Sequence, residues 1–355
     1  MKKIYTVTFQ RVLNYGAILQ TYALHKFLKD SGFDAKVLDY APLYFMMQTC
    51  RPAKGIKKTI DKYKKYKKFN DFRKQHLLLT PKTYFTQASL SKLPSVHAAI
   101  CGSDQIWNKN LTGNRFDPVF FLDFTSSNTK RIAFAASAGS IRIAEFSAPV
   151  KGMLEKFYSI GVRETTLSND VSIIVPEASP EVVVDPCLLL DDYSAVMDKM
   201  RLPKGKFIVS YVVGSGEMLD KFDQRIKELK QFCDLPVVHI GAKSIVSADE
   251  NILDLGPSDW ITFIKEASFV VTNSFHGTAF SINFNKDFLF IPHIVANLNA
   301  RQTTLLENVG LMNRMLPPEK ELSENLVEPI DYEEVNVKLD SIKAMSKSFL
   351  IKALR

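Results

Sequence analysis

The chain has 355 residues, 46% of them hydrophobic and 24% charged, an ordinary globular composition that argues against disorder. The length exceeds what one compact core usually accommodates, so two domains are expected. The net charge is +8, and the segment Lys54–Lys74 carries all of it, with ten basic residues against two acids, so the rest of the chain is balanced. No apolar run reaches the roughly 18 residues a membrane span needs. The short run after Met1-Lys2-Lys3 is broken by Thr6, Thr8 and Gln10 with no small-residue cleavage site, so it reads as a strand and the protein as cytoplasmic. Cys50, Cys101, Cys187 and Cys233 are widely spaced, which supports neither a disulfide framework nor a metal site.

In chain order, Ile4–Phe9 reads as a strand. Asn14 can cap a helix from Gly16 to Asp30, and Ala35–Tyr40 is the next strand; this βαβ opening implies a parallel sheet. The lysine-rich segment 54–75 reads as a helix. Its apolar positions, Ile56, Ile60, Tyr63, Tyr66, Phe69 and Phe72, drift around the axis. A solvated face and peripheral contact with an anionic membrane are both open readings, while nucleic acid is not expected because no wider basic surface accompanies the segment. Strands follow at Val96–Cys101, Arg131–Ala136 and Ser159–Val162, with helical pattern over Ile143–Phe157. Asp185-Pro186 reads as a turn at the lobe junction. A second series has strands at Phe207–Val213, Pro236–Ile240, Ser268–Thr272 and Phe288–Ile291. Helices are expected at Glu217–Phe232, Trp260–Glu266, Gly277–Phe284 and Tyr332–Leu354. The expected architecture is α/β: two Rossmann-like doubly wound lobes with a cleft between them. They cover 1–190 and 191–325, followed by a helical tail over 326–355 for which a crossing back to the first lobe is an open reading.

In doubly wound sheets, ligands bind beyond the carboxyl ends of the strands, and four segments stand there. Asn273-Ser274-Phe275-His276-Gly277 places His276 at a helix N-terminus, where anions bind and an imidazole can move protons near neutral pH. Gly277 would let a ligand approach the backbone; the alternative is a Ser274 cap beside a structural histidine. Gly102-Ser103-Asp104-Gln105-Ile106-Trp107-Asn108 offers hydrogen bonds and an aromatic face to a sugar, or is a turn with a buried Trp107. Asn14-Tyr15-Gly16-Ala17, with Gln20 one turn on, is an open βα turn that lacks the dinucleotide fingerprint, so no NAD is expected. Arg163 can hold phosphate or carboxylate, or pair with Glu164.

These stretches, together with Ala133–Gly139, Asp185–Leu190, Gly256-Pro257 and Arg301, resemble the polysaccharide pyruvyl transferase family in order and spacing. The resemblance implies a fold like that of two-lobed glycosyltransferases of the B type. It implies transfer of a pyruvyl group from phosphoenolpyruvate to a sugar as a cyclic ketal, in cell-surface polysaccharide biosynthesis, with no cofactor or metal. It places the family's cleft histidine on His276 and donor contacts on Arg163, Ser274, Gly277 and Arg301. Acceptor contacts fall on Asn14, Tyr15, Gly16, Gln20, Ser103, Asp104, Gln105, Trp107 and Asn108, with a lipid-linked oligosaccharide among the acceptors. Some members carry arginine where this chain has Ser274. A nucleotide-sugar glycosyltransferase and a non-catalytic polysaccharide-assembly protein are the competing readings.

Overall fold

Short apolar runs, each followed by a helix, can bury both faces only as parallel strands. The computed structural model describes every residue except 54, 199–201 and 318, and only the backbone at 48, 50 and 296. Lys54 and the Cys50 side chain therefore lie outside the described residues. The chain divides into two compact units: Met1–Thr59 with Phe69–Leu190 and Ser341–Arg355, and Ile60–Lys68 with Asp191–Asp340.

The first unit holds strands β1 (Lys3–Val7), β2 (Asp34–Val37), β3 (Ala98–Cys101), β4 (Lys130–Ala136), β5 (Ser159–Val162) and β6 (Glu181–Val182), in the order β2-β1-β3-β4-β5-β6. All pairings are parallel; Ile4, for example, lies opposite both Ala35 and Ala98. Its helices are α1 (Tyr15–Asp30), α2 (Leu43–Cys50), parts of α3 (Ile56–His76), α4 (Gln87–Leu90), α5 (Ser147–Leu154) and α6 (Thr165–Ile174). The helix expected over 143–157 is shorter, a 3₁₀ turn at Ile143–Phe146 followed by α5. Pro149 has no N–H to donate and is tolerated only in a first turn, which is where it sits.

The second unit holds β7 (Ile208–Tyr211), β8 (Val237–Ile240), β9 (Glu250–Ile252), β10 (Phe269–Thr272) and β11 (Asp287–Phe290), again all parallel, in the order β11-β10-β7-β8-β9. Around them lie α7 (Glu217–Leu229), α8 (Pro257–Glu266), α9 (Phe275–Asn283), α10 (Ala300–Val309) and the start of α11 (Tyr332–Leu354). Trp260 is fully buried with Tyr211 and Phe280 at 5.1 and 5.8 Å.

Two long helices contribute to both units. Residues 60–68 of α3, expected with the first lobe, belong to the second unit, where Lys68 donates to the Asp254 carbonyl (2.6 Å) and lies 3.6 Å from the Asp254 and Asp259 carboxylates. Farther along, Phe69 and Phe72 pack in the first unit on Tyr15 and Tyr22. The last residues of α11, in the tail read from the sequence as crossing back to the first lobe, belong to the first unit. Leu350 and Leu354 are fully buried there, the Ser346 hydroxyl accepts the Val184 amide (2.9 Å), and Lys2 donates to the Leu354 carbonyl (3.1 Å). Among the described residues no helix is long and apolar enough to cross a membrane.

Each unit buries a histidine in its neutral form. Burial pushes His25 down to about 4, with Lys29 adding to the effect, and its Nε2 accepts the Leu78 amide. Burial also pushes His239 down to about 4, against weaker opposing effects of Lys243 and Asp223. A folded-state pKa below the unfolded value means that stability is complete above about pH 6.5 and falls as pH drops toward about 4. Urea midpoints should fall across that window, and His25→Gln with His239→Gln should flatten the fall; an unchanged pH profile would refute the assignment. Leu350→Ala should cost about 2–4 kcal/mol, read as a lower urea midpoint.

Candidate functional site

Polar loops gather at the carboxyl edge of each sheet, beside the strand where the winding reverses. In the first unit that place is between β1 and β3. Gly102 has φ +110, and a Cβ there would sit 2.3 Å from the Phe134 carbonyl oxygen, so the loop after β3 needs glycine. Asp104 (φ 77) and Ala135 (φ 52) are also left-handed, conformations that non-glycine residues keep only where neighbours hold them.

Buried hydrogen bonds do the holding. The Ser103 amide donates to Gln20 Oε1 (3.1 Å), Gln20 Nε2 donates to Thr8 Oγ1 (3.0 Å), and the Thr8 hydroxyl donates to the Ser103 carbonyl (2.7 Å). Ser103 Oγ lies 2.7 Å from Asp185 Oδ2, which also accepts Arg163 Nη1 at 2.6 Å. Arg163 Nη2 is 3.5 Å from Asp104. Burial opposes the charge on Arg163, but the carboxylates of Asp185, Asp104 and Glu164 outweigh it and raise its pKa. Glu164 accepts the Ser137 hydroxyl (2.9 Å) and the Ala138 amide (3.0 Å).

This arrangement revises several expectations. Arg163 pairs with Asp185 rather than presenting a free fork to a ligand, and its side chain is almost wholly buried. Trp107 offers no open face to a sugar: it is fully buried, stacked on Phe121 at 5.1 Å, and donates its indole N–H to the Phe120 carbonyl. Tyr15, Gly16, Gln20 and Ser103 are buried as well. Asn14 remains half-buried while its side chain caps α1 through the Ala17 amide (3.1 Å). Gln105 is also half-buried; its Oε1 accepts Asn108 Nδ2 (2.9 Å) over Gly139, where a Cβ would lie 2.0 Å from that oxygen.

At the same edge lies a group that sequence reading did not single out. Arg11 grips Asp39 with Nε (2.7 Å) and Nη2 (2.5 Å), and Gln10 and Thr83 add hydrogen bonds. Burial would raise the Asp39 pKa, but Arg11 and Thr83 overcome it and hold the carboxyl below its ordinary value. Only the tertiary fold joins residues 10, 11, 39 and 83; no local spacing marks them.

In the second unit the reversal lies between β7 and β10. Ser274 caps α9, accepting the Gly277 amide (3.4 Å), and hydrogen-bonds the buried Tyr211. The helix starts at Phe275 rather than at Gly277, so His276 sits inside its first turn. Gly277 has a packing reason: a Cβ there would fall 2.5 Å from Thr272 Oγ1, so the residue lets α9 close onto β10. Asn273 ties the two strand ends together, accepting the Val213 amide (2.7 Å) and donating to its carbonyl (2.8 Å). Behind it, Gln302 donates to the Asn273 carbonyl (3.3 Å), while its own Oε1 is buried without a hydrogen-bond partner. Arg301 lies 5.9 Å from the Phe275 ring centre. The loop after β7 exposes Gly214-Ser215-Gly216, with positive φ at both glycines. Its G-x-G spacing between a strand and a helix was the signal available in the sequence. Among the described residues, no group of three or more His, Cys, Asp or Glu is placed to hold a metal.

The local ion pair makes a prediction independent of any reaction. Removing one partner of a buried pair strands the other charge, so Asp185→Ala should cost about 3–5 kcal/mol. An unfolding free energy equal to that of the unaltered protein would show that the network is not structural.

Solved structures with similar folds include a protein described as a UDP-N-acetylglucosamine 2-epimerase from Listeria monocytogenes (TM-score 0.54, 10% identity, covering 97% of this chain and 90% of that one). A UDP-bound MnaA from S. aureus is similar to the same degree (TM-score 0.54, 14% identity, 96% and 91% covered). At these identities they show the fold alone, an α/β fold built on parallel sheets with alternating helices. No curated protein matches the chain. The family model described as polysaccharide pyruvyl transferase matches residues 14–293, from the Asn14 cap through the His276 helix to His293, and the chain belongs to that family.

Proposed function

We propose that the protein transfers a pyruvyl group from phosphoenolpyruvate to two hydroxyls of a sugar, forming a cyclic ketal. The observation that carries this reading is His276 in the first turn of α9, at the carboxyl end of β10. A helix start attracts the donor's phosphate and carboxylate, and Arg301 supplies a cation on the same unit. Ser274 leaves the position without the arginine that some relatives carry, so Arg301 and the backbone amides take the anion. Arg163 acts by rigidifying the loops of the first unit. The acceptor role falls to Asn14 and Gln105, whose side chains are half-buried. A lipid-linked oligosaccharide is the acceptor class that the basic segment favours.

In this mechanism, His276 delivers a proton to the methylene carbon of the donor, leaving C2 electrophilic. One sugar hydroxyl adds to C2, phosphate departs, and a second hydroxyl closes the ketal. Of the two protons the hydroxyls give up, one balances the new methyl group and the other leaves with phosphate.

A second reading, transfer from a nucleotide sugar, is supported by the exposed Gly214–Gly216 turn at the start of α7, a backbone suited to a diphosphate. The deciding assay follows phosphate release from phosphoenolpyruvate over galactosyl, glucosyl and mannosamine-type acceptors, free and lipid-linked, beside a panel of nucleotide sugars. The expected result is acceptor-dependent release with the corresponding mass gained by the sugar. His276→Gln should lower kcat by about 100-fold or more with donor affinity little changed, whereas Arg301→Ala should mainly raise the donor KM. Turnover of nucleotide sugars alone would establish the second reading. Donor binding without turnover of any acceptor would favour a non-catalytic assembly role, and near-normal turnover by His276→Gln would remove the histidine from the chemistry.

A further inference from the structure

The carboxyl-terminal half of α3 is consumed by packing: Phe69 and Phe72 are buried, and Lys68 is held by the loop before α8. The amino-terminal half is not. Ile56, Ile60 and Tyr63 are 83%, 49% and 68% exposed, and their i, i+4, i+7 spacing aligns them on one face of the helix. The drift expected from the sequence is therefore a division of labour, with the early apolar positions facing solvent and the later ones facing a core. Lys67 continues the exposed face, and Lys57 and Lys64 run along one side of it, all three exposed. Asp61 is turned well away from the stripe by its position on the helical wheel. On α2, the preceding helix, Leu43 and Met47 are also exposed, one turn apart.

Apolar side chains flanked by cations, with Asp61 outside the apolar stripe and outnumbered by Lys57, Lys64 and Lys67, match the boundary between lipid tails and anionic headgroups. A nucleic acid would use the lysines but gain little from exposed isoleucines. We propose that the amino-terminal half of α3 is a membrane-docking helix. It lies in the plane of an anionic phospholipid surface, with Ile56, Ile60 and Tyr63 among the lipids and Lys57, Lys64 and Lys67 on the headgroup phosphates. Docking requires no substrate, so it stands or falls separately from the donor chemistry.

The test is co-sedimentation of the full chain with phosphatidylcholine vesicles containing phosphatidylglycerol, and with phosphatidylcholine alone. The unaltered protein should bind only the anionic vesicles appreciably. The triple variant Lys57→Gln, Lys64→Gln, Lys67→Gln should lose about 100-fold in partitioning. Ile60→Ser with Tyr63→Ser should lose about tenfold or more without any change in charge. A control removing the same charge elsewhere, Lys29→Gln, Lys204→Gln, Lys206→Gln, should change little. Failure of the unaltered protein to bind anionic vesicles would overturn the proposal, as would equal loss in the control. Undiminished binding by the apolar variant would reduce the surface to a site for soluble polyanions and equally sink it.

Discussion

A parallel sheet that winds in both directions from one strand leaves a gap beside that strand's carboxyl end that no crossover covers. The polar loops that follow the strands are arranged around two such gaps. In the first unit the reversal lies between β1 and β3, and in the second between β7 and β10. Backbone that arrives there has lost its ladder partners, so side chains must supply hydrogen bonds or the loops would leave unsatisfied polar groups.

The two units meet that demand differently. The first fills its gap with a charged network. Asp185 serves Ser103, Arg163 and the Cys187 amide at once, and each member compensates the burial of another, as dry polar networks must. The second closes its gap with neutral bridges, Asn273 across to Val213 and Ser274 over the start of α9. That leaves the start of α9, with His276 in its first turn, as the polar feature of this edge. A rigid charged frame in one unit and neutral bridges around a helix terminus in the other are different solutions to one topological problem.

The lysine-rich helix shows how far a single element can be divided. Its composition alone suggests one amphipathic face, yet one stretch is bound by aromatic packing and an aspartate cluster while another keeps its isoleucines in solvent. Burying hydrophobic side chains is favourable, and the three left exposed in line are the observation on which the docking proposal rests.

Much of this was legible in the sequence. Alternating apolar runs and helical periods determined the fold class and most strands, and the loops after β1, β3, β5 and β10 stood out because polar residues crowd where apolar runs stop. Less regular elements were not legible: α6 and α10 mix β-branched and polar residues, and β9 has no apolar run. What each site residue does was decided by tertiary structure, because a side chain's role depends on what faces it across the chain. Arg163 reads locally as a ligand for anions and becomes part of a frame only because Asp185, 22 residues away, is folded against it. Trp107 reads as a sugar platform and is buried because Phe121 and Phe157, both distant in the chain, pack against it. Sequence by itself determined the family, the alternation and the loops that carry polar groups; tertiary structure alone decided which of those groups reach solvent, because burial and ion pairing are properties of neighbours distant in the chain.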